Sequence, residues 1–261
     1  MKRLLTIRML LMPLFVLSII SCKDEDKDDD RFKDDGTMSY TLGVGKSARD
    51  VLSAETFESM VIEVQYPQGY QLPQGLNADI ISFLEGYCHK PDGIAIETKE
   101  LSIPAQSTYT LTEVRDIEDT YRTRFGKDEE LALYLFVAGG DYRNDDGNGN
   151  VLGIAHRNTS MVLFQKTIKD HSGGLAEPSE KLATNAIFRH ELGHLLGLVN
   201  IGSNMQTDHE DKDHAKHCDN EDCLMFWSYN SGADMSSLLG MSSPPDFDAN
   251  CKADLKAKGG K

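Results

Sequence analysis

His190, Glu191 and His194 stand in the run His190-Glu191-Leu192-Gly193-His194-Leu195-Leu196-Gly197, an H-E-x-x-H-x-x-G pattern. Four residues is about one helical turn, so on a helix both imidazoles leave the same face. Two imidazoles so placed can share one zinc ion at about 2.0–2.1 Å each. Glu191 lies beside them, where a carboxylate can hold a zinc-bound water and accept its proton. Gly197 follows three residues later, where the chain must leave the helix and turn back. Glycine meets that need most easily.

The helix that carries this pattern must begin upstream. Residues 182–189 can continue it, with Pro178 as a first-turn residue. Val61–Tyr66 alternates apolar and polar and ends at Pro67, which predicts a half-buried strand. Leu76–Cys88 has helical apolar spacing, and Gly93–Thr98 is a second strand candidate. Leu111–Phe125 predicts an amphipathic helix with Thr110 or Ser107 as its cap. Leu131–Ala138 is continuously apolar and ends at Gly139-Gly140, as expected of a strand covered on both faces. Val151–Gln165 reads as one or two strands broken near residues 156–158. The order predicts one α/β domain, helices on a mixed, twisted sheet, over residues 57–261.

The amino terminus has a different character. Lys2, Arg3 and Arg8 precede an apolar core from Met9 to Ile20, too short for a stable membrane span. This is the pattern of an export signal over residues 1–21. Ser21-Cys22 resembles a bacterial lipobox, in which Cys22 is lipidated. The acidic run Lys23–Asp30 repels itself and predicts an extended tether, drawn over residues 22–56. An acidic stretch directly behind such a cysteine resembles the outer-face export signal of some Gram-negative lineages, which implies an outer-membrane lipoprotein, exposed at the cell surface or facing the periplasm and held by lipid alone.

The formal net charge is −15, or −18 once residues 1–21 with their three basic side chains are removed. An acidic chain without a basic cluster is a poor partner for nucleic acid. The Asp141–Asn150 loop is rich in Asp, Asn and Gly but lacks the full spacing of a calcium loop. Calcium there is the less favoured reading and a plain surface loop the favoured one.

Beyond the zinc-binding pattern the chain runs His217-Cys218-Asp219-Asn220-Glu221-Asp222-Cys223-Leu224-Met225. With His190, Glu191, His194 and Gly197 this resembles the metzincin metallopeptidases, most nearly the archaemetzincins. The resemblance implies an active-site helix, a C-terminal subdomain with Met225 as the methionine of a Met-turn, and one catalytic zinc. Together with the export signal and the H-E-x-x-H spacing, it leads to the expectation of a monomer that hydrolyses peptide bonds outside the cell with Glu191 as general base. The alternative is a non-catalytic surface lipoprotein that keeps a structural metal and binds a host or glycan ligand.

Two departures from the family pattern stand out. The third histidine is expected at position 200, which is Asn200, and an insertion over about 199–216 separates the two halves of the motif. The resemblance favours His217 as third ligand, with His214, His209 and Asn200 as alternatives. The closing cysteine motif retains Cys251 but has Asp248 in place of a thiolate, so a second, four-cysteine zinc site is incomplete. In an exported chain a Cys218–Cys223 disulfide, with Cys88–Cys251 as the remaining pair, is then an expectation at least equal to a second zinc at these residues. Trp227 and Tyr229 are expected in the wall of the substrate cleft.

Overall fold

The computed structural model describes residues 31–143, 151–230 and 235–261. The export signal, Cys22 and the acidic run to Asp30 lie outside these residues, as does most of the 141–150 loop. Among the described residues no helix is long and apolar enough to cross a membrane.

Among the described residues seven strands and six α-helices follow one another as α1(Ala48–Leu52), β1(Ser59–Pro67), α2(Leu76–Tyr87), β2(Gly93–Leu101), β3(Thr108–Tyr109), α3(Leu111–Tyr121), β4(Glu130–Ala138), β5(Asp141–Tyr142), β6(Gly153–Arg157), β7(Ser160–Phe164), α4(Gln165–Asp170), α5(Glu180–Leu195) and α6(Ala249–Ala257). The main sheet has the order β2-β1-β4-β7-β6. Its first four strands are parallel, and β6 turns back antiparallel to β7 to form one edge. This is a mixed α/β fold with a mostly parallel sheet.

β4 is buried from Leu131 to Ala138, as an unbroken apolar run in a strand covered on both faces must be. Leu131, Leu133, Leu135 and Val137 join the larger core with α2 and α5. Tyr134, Phe136 and Ala138 join the smaller core beneath α3. α3 starts on a capping box: Thr110 accepts the Glu113 N–H while Glu113 accepts the Thr110 N–H.

β1 departs from the half-buried strand that its alternation predicts. Glu63 and Gln65 are buried, because the chain leaving α3 covers that face. The Glu63 carboxylate accepts the N–H groups of Thr123 and Arg124 at 2.9 Å each. Gln65 Nε2 donates to the Tyr121 carbonyl at 2.7 Å. The polar stripe therefore marks a covered, hydrogen-bonded face rather than a solvated one.

Residues 31–56 are not a tether. Met38, Ala48, Val51 and Leu52 are buried, and Arg31 pairs with Asp50 at 2.8 Å. The buried Lys90 ammonium ties this segment down through the carbonyls of Asp50 and Phe57, at 2.8 and 2.7 Å, and that of Ser53. Asn158, in the β6–β7 turn, is bonded to Leu42 through both backbone and side chain. The acidic run does not extend into 31–56, where apolar residues recur often enough to pack.

Beneath the sheet Glu118 of α3 is fully buried between Arg122, at 2.7 Å, and Arg157, at 2.9 Å. Removing one member of such a group leaves uncompensated charge in the core. Glu118→Ala should destabilise the fold by about 3–5 kcal/mol in denaturant unfolding. A loss under about 1 kcal/mol would show that the two arginines find other partners.

Candidate metal centre

α5 opens at Ser179, whose hydroxyl accepts the Leu182 N–H; Pro178 precedes this cap and is not in the first turn. From Leu182 to Leu195 every residue but Arg189 is buried, because β6, β7, α2 and α4 surround the helix. His190 and His194 are therefore buried on one face of it. Gly197 has φ +78°, and Val199 and Asn200 follow with φ +50° and +63°. This left-handed stretch reverses the chain and sends it into the inserted loop.

That loop returns His217 to the helix. One ring nitrogen from each of His190, His194 and His217 lies within 4.8 Å of the other two. The ring centroids are 4.9–5.3 Å apart. His190 Nδ1 donates to the Leu224 carbonyl at 2.8 Å, which leaves Nε2 as the lone-pair nitrogen. His190 Nε2 and His217 Nε2 are buried without a hydrogen-bond partner, and so is Glu191 Oε1. Convergent, unpaired imidazole nitrogens are the donor set that zinc takes, and the residues fit that ion.

The other three candidates for third ligand are elsewhere. Asn200 is exposed and donates to Glu210 at 2.7 Å. His214 stacks on Trp227, with centroids 4.1 Å apart, and pairs with Asp211 at 3.0 Å. His209 is buried against Asp254 and Cys218. Tyr229 is also buried, with its hydroxyl directed at the Glu221 carbonyl, and so does not line a cleft. Trp227 is half-buried.

Two contacts that the motif does not disclose hold Glu191 and the helix. The Ala155 N–H, on the side of β6 away from β7, donates to Glu191 Oε2 at 2.6 Å. A Cβ on Gly153 would stand 2.8 Å from Glu191 Cγ, so only glycine lets the edge strand come this near. Between the two histidines, a Cβ on Gly193 would stand 2.2 Å from Met225 Sδ. Small residues at 153, 155 and 193 were the available sequence signal, and small residues are too common to read alone.

The cysteines do not pair as expected. Cys88, Cys218, Cys223 and Cys251 are all free and buried. Cys223 and Cys251 have their sulfurs 3.6 Å apart, well beyond a bond of about 2.05 Å. Cys218 is near His209 and Asp248, while Cys88 is packed in the core beside α2. The fold gathers three thiols where only pairs could form disulfides. Asp141, the one described acidic residue of the candidate calcium loop, is taken up by Lys166 and Thr167.

Burial sets the charge states. It holds His190 down at about 3, with His217 adding to the effect, and it lowers His194 and His217. His156, buried on β6, is likewise held at about 3. Glu191 is pushed up to about 8 by burial, partly offset by the Ala155 N–H.

These shifts make the metal-free chain sensitive to acid. Unfolded histidines take up protons near 6.5, whereas these four folded ones do not. Their contribution is full above pH 6.5 and is lost as pH falls below it. Glu191 acts oppositely, since its contribution is full below the unfolded value of 4.5 and is lost as pH rises through about 8. The unfolding temperature of zinc-stripped protein should therefore fall from pH 7 to pH 5, and more steeply in Glu191→Gln. A flat profile by calorimetry would contradict the buried, neutral state of these rings.

No protein-family model matches the chain, and no curated protein matches it. Among solved structures, the archaemetzincin of Methanopyrus kandleri aligns at 17% identity over 77% of this chain and 96% of its own, with a TM-score of 0.49. That of Archaeoglobus fulgidus aligns at 18% identity over 75% and 99%, with a TM-score of 0.42. A zinc-dependent peptidase of Methanocorpusculum labreanum aligns at 15% identity over 74% and 99%, with a TM-score of 0.46.

Proposed function

We propose that the chain is a zinc-dependent endopeptidase of archaemetzincin type, with His190, His194 and His217 as zinc ligands and Glu191 as general base. One observation carries this reading: two buried imidazoles and a half-buried third converge with unpaired nitrogens, and a carboxylate oxygen beside them is also unpaired. An ion that only braced the fold would have no use for that carboxylate.

Zinc in this position supplies Lewis acidity to the scissile carbonyl and to water. The protein does the rest. The Leu224 carbonyl orients His190, and the Ala155 N–H orients Glu191 through Oε2. Oε1 is left to take a proton from the attacking water and pass it to the leaving amine. That role needs the ionised carboxylate, which a bound cation beside it would favour, and the raised proton affinity that burial gives Glu191 then strengthens it as a base. The peptide lies extended along the free edge of β6 as an added strand, which sets its backbone beside Glu191. Met225 forms the floor under the helix as the methionine of a Met-turn, within a C-terminal subdomain.

Residues 1–21 direct export in this proposal, Cys22 carries lipid, and 23–30 form the tether to an outer-membrane site facing the outside of the cell. The basic n-region, short apolar core and Ser21-Cys22 junction support it.

Glu191→Gln should keep its zinc and its fold but lose peptidase activity by about 100-fold or more, since it removes a base and not a ligand. Wild-type cleavage by this variant would refute the mechanism. Separately, Cys22→Ala should move the protein from membrane to soluble fractions. Continued membrane retention would show another anchor.

A further inference from the structure

The inserted loop presents His217 at the end of a closed turn. Glu210 and Cys218 pair across its base, and the Asp211 N–H donates to the His217 carbonyl at 2.8 Å. The His217 N–H donates in turn to the His214 carbonyl at 3.2 Å. Lys216, left-handed at φ +70°, is held by Glu210 Oε1, which accepts its N–H at 2.7 Å. Glu210 Oε2 accepts from Asn200 at 2.7 Å, bracing the turn against the start of the insertion. His217 Nδ1 lies 3.1 Å from the Ala215 carbonyl, which can only accept, so Nδ1 carries the proton and Nε2 the lone pair.

These contacts give the turn its shape but do not fix it against α5. From Asp211 to Lys216, among the described residues, one hydrogen bond, ion pair or ring contact leaves the loop: the stack of His214 on Trp227. The ring centroids are 4.1 Å apart and the planes 9° from parallel. Asp211 holds the imidazole for this stack. Its Oδ2 accepts from Nδ1 at 3.0 Å, while its Oδ1 accepts the N–H groups of Asp213 and His214 at 2.8 and 3.1 Å. Trp227 opens a short 3-10 helix two residues after Met225, and Met225 packs against Gly193 between the two helical histidines. The stack therefore ties the tip of the loop to a segment that is itself seated on α5.

We propose that the His214–Trp227 stack is the latch that positions the third ligand, with Asp211 holding the imidazole in place. The proposal rests on the peptidase reading in one respect, that His217 is a zinc ligand. With so long an insertion, nearness along the chain no longer returns that residue, and tertiary contacts must do so. A stacked aromatic pair changes the ratio of latched to open loops by about 2–10-fold. Zinc affinity at the histidine cluster follows the latched fraction and changes with it. Asp211, His214 and Trp227 act through His217 and are positioning residues.

Trp227 is the only tryptophan of the chain, so its fluorescence reports the stack directly. In the purified protein, His214→Ala should raise acrylamide quenching of Trp227. It should also weaken zinc at the histidine cluster about 2–10-fold in chelator competition, with the unfolding temperature kept. The cluster's ion is identified as the zinc that His190→Ala/His194→Ala loses. His214→Phe, which can stack but cannot bond Asp211, should restore both readouts. Trp227→Ala should weaken zinc as His214→Ala does, and the double variant should lose no more than either alone. Unchanged quenching in His214→Ala would show that the rings do not stack, and unchanged zinc affinity would overturn the positioning role; either result leaves the peptidase reading intact. Additive losses in the double variant, or a His214→Phe as weak as His214→Ala, would also refute the latch. Full zinc retention in His190→Ala/His194→Ala would instead sink the peptidase reading, and the latch with it.

Discussion

Burying α5 together with two imidazoles and a carboxylate is the constraint from which the rest of this structure follows. Charge in such a place is penalised by several kcal/mol, so the groups shed it: the histidines lose their proton affinity and Glu191 gains some. The result is a water-poor pocket of neutral rings whose lone pairs have nowhere to go. Apolar packing must hold the helix in this position, and Leu182, Ile187, Phe188, Leu192 and Leu195 provide that packing. A site of this kind is poised for a cation because the scaffold denies it other partners.

The sheet serves this helix from two sides. β4 supplies an apolar platform, and β6, as the edge strand, brings a backbone N–H to Glu191. Close approach of that edge depends on Gly153, where a Cβ would collide with Glu191 and Ile187. Below the platform, Glu118 and its two arginines form an ionic layer that ties α3 to the β6–β7 hairpin. Arg157 and the buried His156 both belong to β6. The edge beside Glu191 is therefore anchored through the ionic layer as well as by its pairing to β7.

The inserted loop changes how the site is completed. A chain that leaves α5 at Gly197 could return a ligand within a few residues, but here residues 198–216 intervene before His217. Looping out such a segment costs little entropy as long as both ends stay fixed. The ends are fixed by the left-handed turn at Gly197 and by the pairing of Glu210 with Cys218. Within the loop, His209 is buried while His214 stays half-exposed on Trp227, so neighbouring histidines of the same loop serve different ends.

The sequence by itself determined the residues of the first half of the site and the elements that carry them. H-E-x-x-H is a local pattern on one helix, and the helix period alone places both rings together. The unbroken apolar run of β4 and Thr110 as one of two candidate caps of α3 were legible for the same reason, since each depends on a few adjacent residues. Tertiary structure decided what depends on distant segments. His217 joins the cluster, and His209, Asn200 and His214 leave it, through the path of an irregular loop. The cysteines expected as disulfides instead converge with His209, because α6 brings Cys251 to Cys223 and Asp254 to the imidazole. Glu63 and Gln65 look solvated until the chain after α3 covers them. Ala155 and Gly153 act through backbone reach, which no side-chain pattern records. Local spacing is written in chain order, whereas the completion of a pocket depends on contacts between segments far apart in it.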